Sequence, residues 1–66
     1  MELTVNGESR NVENVNTVSD LLEQMDLDPE QVAVEVDQNV VPGETYDEQD
    51  LDPGAEVEIV TFVGGG

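Results

Sequence analysis

The sequence contains no cysteine, no histidine and no lysine. Without cysteine, the chain can form neither a disulfide framework nor a thiolate metal site, and it has no cysteine nucleophile. Without histidine and lysine, it also lacks the usual general base, the commonest metal ligand and the Schiff-base amine. We therefore expect a protein that is not an enzyme and that binds no cofactor or metal of its own.

Aromatic residues are also scarce, since Tyr46 and Phe62 are the only two. A chain of 66 residues forms one domain, and its core must come almost wholly from Val, Leu, Ile and Met. No apolar run approaches the roughly 18 residues of a membrane-spanning helix, and no basic segment opens the chain. These features predict a cytoplasmic, monomeric protein.

Positive charge is nearly absent, because 17 acidic residues accompany the single cation Arg10 and give a formal net charge of −16. Nucleic acids and anionic membranes bind basic surfaces, so neither is expected as a partner. The acidic clusters at 26–30 and 47–52 lack the glycine and glutamate spacing of a calcium-binding EF-hand loop. A solvated acidic surface is the simpler interpretation of both clusters.

The apolar residues that are present follow regular patterns. Val18, Leu21, Leu22 and Met25 share one face of a helix. We expect this helix to begin after Thr17, which forms a capping-box pattern with Asp20, and to end near Leu27, before a proline. Alternating residues predict strands at 1–5, 8–12, 32–36, 40–41 and 56–62, with a hairpin turn at Asn6-Gly7. One helix with four or five strands packs most simply as a mixed sheet with the helix across one face, which is the α+β arrangement called a β-grasp. We expect this domain to span 1–63.

The chain ends in Gly64-Gly65-Gly66, which we expect to form a flexible tail over 64–66. A linker or a frayed terminus is the simple interpretation of such a segment. The alternative is a reactive end, because residues without side chains can thread a narrow channel and present the Gly66 carboxylate to another protein. A carboxylate becomes a good electrophile once a partner enzyme adenylates it with ATP.

Several segments together resemble the ThiS-type sulfur carriers of thiamin biosynthesis, which belong to the ubiquitin-like β-grasp proteins. The resemblance covers essentially the whole chain. It lies in the opening strand that ends at Asn6-Gly7, the segment TVSDLLEQM at 17–25, the segment VVP at 40–42 and the ending VTFVGGG at 60–66. A terminal Gly-Gly alone is a weak motif, whereas the same dipeptide after a β-grasp pattern of this length is a strong one.

The resemblance implies that a ThiF-like adenylating enzyme of the ubiquitin-activating type converts the Gly66 carboxylate to an acyl-adenylate. A persulfide sulfur donor would then turn it into a thiocarboxylate, and a ThiG-like thiazole synthase would receive the sulfur. Gly65 and Gly66 match the functional dipeptide of that family. Gly64 precedes it and would thread with Gly65.

The end of the last strand offers a second candidate site. If Val57 and Ile59 face the core, Val60 and Phe62 lie on the opposite face, and together with Val63 they form a candidate docking patch for the activating enzyme. A minor apolar cluster that covers the open side of the sheet is an equally good interpretation.

Three other functions remain open. A ubiquitin-like protein modifier of the small archaeal type would be joined through Gly66 to lysines of its targets. The small subunits of molybdopterin synthase share the tail chemistry but tend to be longer. An acidic binding module with an inert tail belongs to a different class, and loss of Gly65 and Gly66 would leave its function intact.

The acidity predicts adaptation to a salt-rich cytoplasm, with an acidic protein of ordinary salt tolerance as the alternative. At 1 M salt the Debye length is about 3 Å, which screens most of the repulsion between exposed carboxylates. We expect the circular-dichroism signal of the folded protein to grow as KCl is added. Full folding at millimolar KCl would contradict this prediction.

Overall fold

The computed structural model describes residues 1–62, and a five-stranded sheet is its main feature. The strands are β1 (Glu2–Val5), β2 (Glu8–Asn11), β3 (Val32–Val36), β4 (Asn39–Val41) and β5 (Glu56–Thr61). Their order across the sheet is β2-β1-β5-β3-β4. Strands β1 and β5 are parallel, whereas the other neighbours are antiparallel. The predicted mixed sheet is confirmed.

Helix α1 (Val18–Gln24) begins at the predicted capping box. The backbone N–H of Asp20 donates to the Thr17 hydroxyl at 3.3 Å, and the Asp20 carboxylate accepts from the N–H groups of Asn16 and Thr17 at 2.9 and 3.2 Å. These backbone bonds lower the pKa of Asp20. Because the pKa is lower in the folded state, the stabilisation is present above the unfolded-state pKa and is lost as the pH falls through the folded-state value.

The helix ends earlier than its apolar pattern predicts, at Gln24 with Met25 as its C-cap, rather than near Leu27. Asp26 adopts a left-handed conformation with φ of 59°. The N–H of Leu27 then donates to the carbonyl of Leu22, and the N–H of Asp26 donates to the carbonyl of Glu23. This Schellman arrangement terminates the helix. Pro29, which we expected to mark the end, instead opens a short 3-10 helix (Pro29–Gln31).

The core lies between α1 and one face of the sheet. Val18, Leu21 and Leu22 of the helix are buried in one cluster with alternate residues of the strands. Leu3 and Val5 come from β1, and the valines at 32, 34 and 36 come from β3. The connection from 42 to 55 contributes Tyr46 and Leu51 to the same cluster, and a second 3-10 helix (Gly43–Thr45) lies near its start. Burial of alternate strand residues leaves the other face of the sheet uncovered by α1.

Asn6 joins the first hairpin to β5 through its side chain. With Gly7 it forms the predicted turn, and both residues have positive φ values of 50° and 82°. Its side-chain oxygen accepts from the N–H of Ile59 at 2.7 Å, and its side-chain nitrogen donates to the Ile59 carbonyl at 3.1 Å. The side-chain amide of Asn6 therefore continues the hydrogen bonding between β1 and β5 beyond Val5, the last residue of β1.

We predict that Asn6→Asp destabilises the protein by about 1–3 kcal/mol, because the carboxylate cannot donate to the part-buried Ile59 carbonyl. The measurement is urea unfolding in high KCl. Asn14→Asp is the matched control, since Asn14 is exposed, also has a positive φ, and gains the same charge. Equal losses of unfolding free energy in the two variants would show that charge alone acts.

Candidate functional site

Strand β5 presents two different kinds of residue to its two faces. Val57 and Ile59 are buried in the core, whereas Glu58 and Val60 are exposed on the opposite side. Phe62 follows the strand and continues its pairing, because its N–H donates to the Gln31 carbonyl at 2.8 Å. Val60 is 59% exposed and Phe62 is 56% exposed. The structure thus places both residues on the face that the alternation predicts, and their docking role stays a prediction.

The outer face of the sheet, defined as the face turned away from α1, has an apolar end. Ala33 of β3 lies directly opposite Val60 and is also exposed. Phe62 lies beyond Val60 in the same direction along the chain. The apolar end therefore lies where β5 ends, at the last residue that the structure describes.

The rest of the outer face is acidic. Glu35 and Glu58 are directly opposite each other on β3 and β5, and both are exposed. Like charges in this arrangement destabilise a sheet, since they repel at short range. Glu56 and Glu2 lie further along the same face, on β5 and β1. A partner that covers the whole face would need apolar contacts at one end and cationic groups at the other.

The tail itself lies outside the described residues. This applies to Gly64, Gly65 and Gly66, and to Val63 of the predicted docking patch, as well as to the boundary between the domain at 1–63 and the tail at 64–66. Their roles stay predictions. The structure does bring the last described residue, Phe62, to the apolar end of the outer face.

One exposed residue of this face was not singled out from the sequence. Val40 of β4 is 74% exposed and lies directly opposite Glu35, so it also faces outward. Its strand was predicted, but the pair Val40-Val41 could not show which of the two is buried. Val34 of β3 faces the core and lies directly opposite Val41. Val41 therefore also faces the core, and Val40 faces outward.

Within residues 1–62, no group of three or more acidic side chains is arranged to hold a metal ion. The described helices include none that is long and apolar enough to cross a membrane.

Comparison with known proteins identifies the relatives of this chain. The ThiS family model matches residues 3–66. A crystal structure of the thiamine biosynthesis protein ThiS from Geobacter metallireducens superposes with a TM-score of 0.83 at 35% identity, and the match covers 100% of both chains. Two proteins named thiazole synthase, from Paramagnetospirillum magneticum and Magnetococcus marinus, are 41% and 39% identical over all 66 residues. The chain spans only 20% of the length of each of these two.

The fold is therefore that of the ubiquitin-like β-grasp proteins, a five-stranded mixed sheet with one α-helix, and it matches a solved ThiS structure over the full length of both chains. The chain belongs to the ThiS family, since the family model covers nearly all of it. Membership of this family supports a role as a sulfur carrier.

Proposed function

We propose that this protein carries sulfur as a thiocarboxylate on Gly66. In the first step a Gly66 carboxylate oxygen attacks the α-phosphorus of ATP and pyrophosphate leaves. In the second step the terminal sulfur of a persulfide attacks the acyl carbon and AMP leaves. A thiol then attacks the donor's sulfur atom in the resulting acyl disulfide. The sulfur–sulfur bond breaks, a new disulfide forms between that thiol and the donor, and the thiocarboxylate remains on the chain.

The observation that carries this proposal is the extent of the family match, which runs through all three glycines to residue 66. Three residues without side chains let a chain end enter a narrow site and approach a nucleotide closely. The apolar end of the outer face lies just before these residues, where a partner that holds the tail would also make contact.

The catalytic groups belong to the partner in this scheme. The chain has no cysteine, histidine or lysine that could serve as nucleophile or base. The partner is an adenylating enzyme of the ubiquitin-activating type, which binds ATP, while this protein is its substrate. We place the reaction in the cytoplasm, where ATP and persulfide donors are available.

Thiazole synthase is the proposed acceptor of the sulfur. In the two relatives that carry this name, a segment similar to the whole of this chain makes up about a fifth of the polypeptide. Domains that act on one another are often found joined in one chain, and joining raises their effective concentration. We therefore propose that this protein docks onto a thiazole synthase and donates its sulfur to thiazole formation.

The tail chemistry is tested by intact mass spectrometry. The protein is incubated in high KCl with ATP, the cognate adenylating enzyme and a persulfide donor. We expect the mass to rise by the difference between sulfur and oxygen, and we expect no change in a variant that lacks Gly65 and Gly66.

A different result would point to one of the other functions. Attachment of Gly66 to lysines of other proteins, without a stable thiocarboxylate, would support a protein modifier instead. Absence of any adenylate or thiocarboxylate would contradict the carrier role, and an inert tail on an acidic binding module would then be the better account.

The docking role of the apolar end has its own test. Phe62→Asp should leave the free energy of unfolding within about 0.5 kcal/mol of wild type, because Phe62 is largely exposed. It should raise the KM of the adenylating enzyme for this protein about tenfold or more, since a charge would enter an apolar contact. Thr61→Asp is the matched control, because Thr61 neighbours Phe62 but lies on the opposite face. An unchanged KM for Phe62→Asp would eliminate the docking role.

A further inference from the structure

Val40 is a further exposed apolar residue of the outer face, at the edge of the sheet furthest from β2. Among the exposed large hydrophobic residues of 1–62 it is the most exposed, at 74%. It lies in the middle of β4, a strand of only three residues that pairs with β3. The short length of β4 leaves the first residues of β3 without a neighbouring strand residue in register on that side.

The pairing register connects Val40 with the apolar end of β5. Val40 is opposite Glu35, and Ala33 lies two residues before Glu35 on the same face of β3, so Val40 and Ala33 are diagonal neighbours. Ala33 in turn is opposite Val60. We call Val40, Ala33, Val60 and Phe62 the apolar strip. The strip runs obliquely across the outer face, from Phe62 to the β4 edge.

A shallow cleft of about 700 Å³ opens where the strip reaches this edge. Val40 and Ala33 line it, together with Pro29 and Pro42. Tyr46 also lines the cleft, and its hydroxyl donates to the Val32 carbonyl at 3.2 Å, which holds the ring in place. The lining is thus mostly apolar and is built on buried, hydrogen-bonded residues.

The carboxylates around the cleft indicate which kind of partner it can bind. Glu30 and Glu44 line the cleft, and Glu35 is opposite Val40. A second copy of this chain would bring further carboxylates against them, in a protein of net charge −16. Complementary charge therefore requires a partner that presents an apolar side chain between lysine or arginine residues.

We propose that this cleft, the β4 cleft, receives an apolar side chain with basic neighbours from the adenylating enzyme that activates Gly66. The inference rests on the proposed function, because the apolar strip joins the cleft to the residues just before the tail. The partner would bind at both ends of the strip. Affinity would depend on a site at the far edge of the sheet from the reacting carboxylate.

The test is calorimetric titration of the cognate adenylating enzyme with variants of the intact protein. Val40→Asp should weaken binding about tenfold or more, and Val40→Ala should weaken it in the same direction. Asn11→Asp is the matched control, because Asn11 is exposed on the outer face of the opposite edge strand and gains the same charge. It should bind within about twofold of wild type. Val40 and Asn11 are both exposed, and unfolding in urea verifies that each of the three variants is folded.

The charged part of the proposal is tested by Glu30→Gln with Glu44→Gln. This double variant should bind more weakly and should show a smaller loss of affinity as KCl rises, because two attractive charges are gone. Asp47→Gln with Glu48→Gln, two exposed positions that do not line the cleft, removes the same charge as a control. Equal effects of the two double variants would overturn the charge requirement.

The outcomes separate the cleft from the carrier function. Wild-type thiocarboxylate formation together with wild-type affinity in Val40→Asp would overturn the β4 cleft and leave the carrier function standing. A wild-type protein that neither binds the enzyme nor forms a thiocarboxylate would overturn both. Sedimentation showing a dimer that Val40→Asp disrupts would assign the cleft to a second copy and would also overturn the proposal.

Discussion

The alternation of residues along β5 is the constraint on which the rest of the molecule depends. This strand lies at the centre of the sheet and pairs with both β1 and β3. Val57 and Ile59 must face α1 to complete the core, so Glu58 and Val60 must face outward. A shift of one residue in register would expose the first pair and bury the second. The same pairing that builds the core therefore also sets the composition of the outer face.

The outer face shows that stability and recognition make different demands. Glu35 opposite Glu58 is an unfavourable pair for folding, because the two carboxylates repel across neighbouring strands. Exposed Val40, Val60 and Phe62 contribute little to the core. Both features are understandable if a basic and partly apolar partner covers this face, since the partner's cations would then offset the repulsion. The acidity also disfavours association between copies through the open sheet.

Sequence patterns predicted the elements whose residues repeat regularly. The alternation of apolar residues predicted strands β3 and β5. Helical spacing and the Thr17 capping box predicted the start of α1. The end of the helix did not follow, because an aspartate at position 26 adopts the left-handed conformation more often assigned to glycine. The cross-strand bonds of Asn6 were also not predictable. They join residues 53 positions apart, and no local pattern records that proximity.

Part of the candidate site could likewise be predicted from local sequence, and part depends on contacts between distant segments of the chain. The outward direction of Val60 and Phe62 follows from the parity of a single strand. The importance of Val40 depends on three separate facts: the pairing of β4 with β3, the pairing of β3 with β5, and the positions of Pro29 and Pro42 around the cleft. The sheet thus brings residues from three parts of the chain, β3, β4 and the end of β5, into one continuous strip. A partner that bound only the glycine tail could not distinguish this protein from another with the same ending. A partner that also contacted the apolar strip could distinguish them.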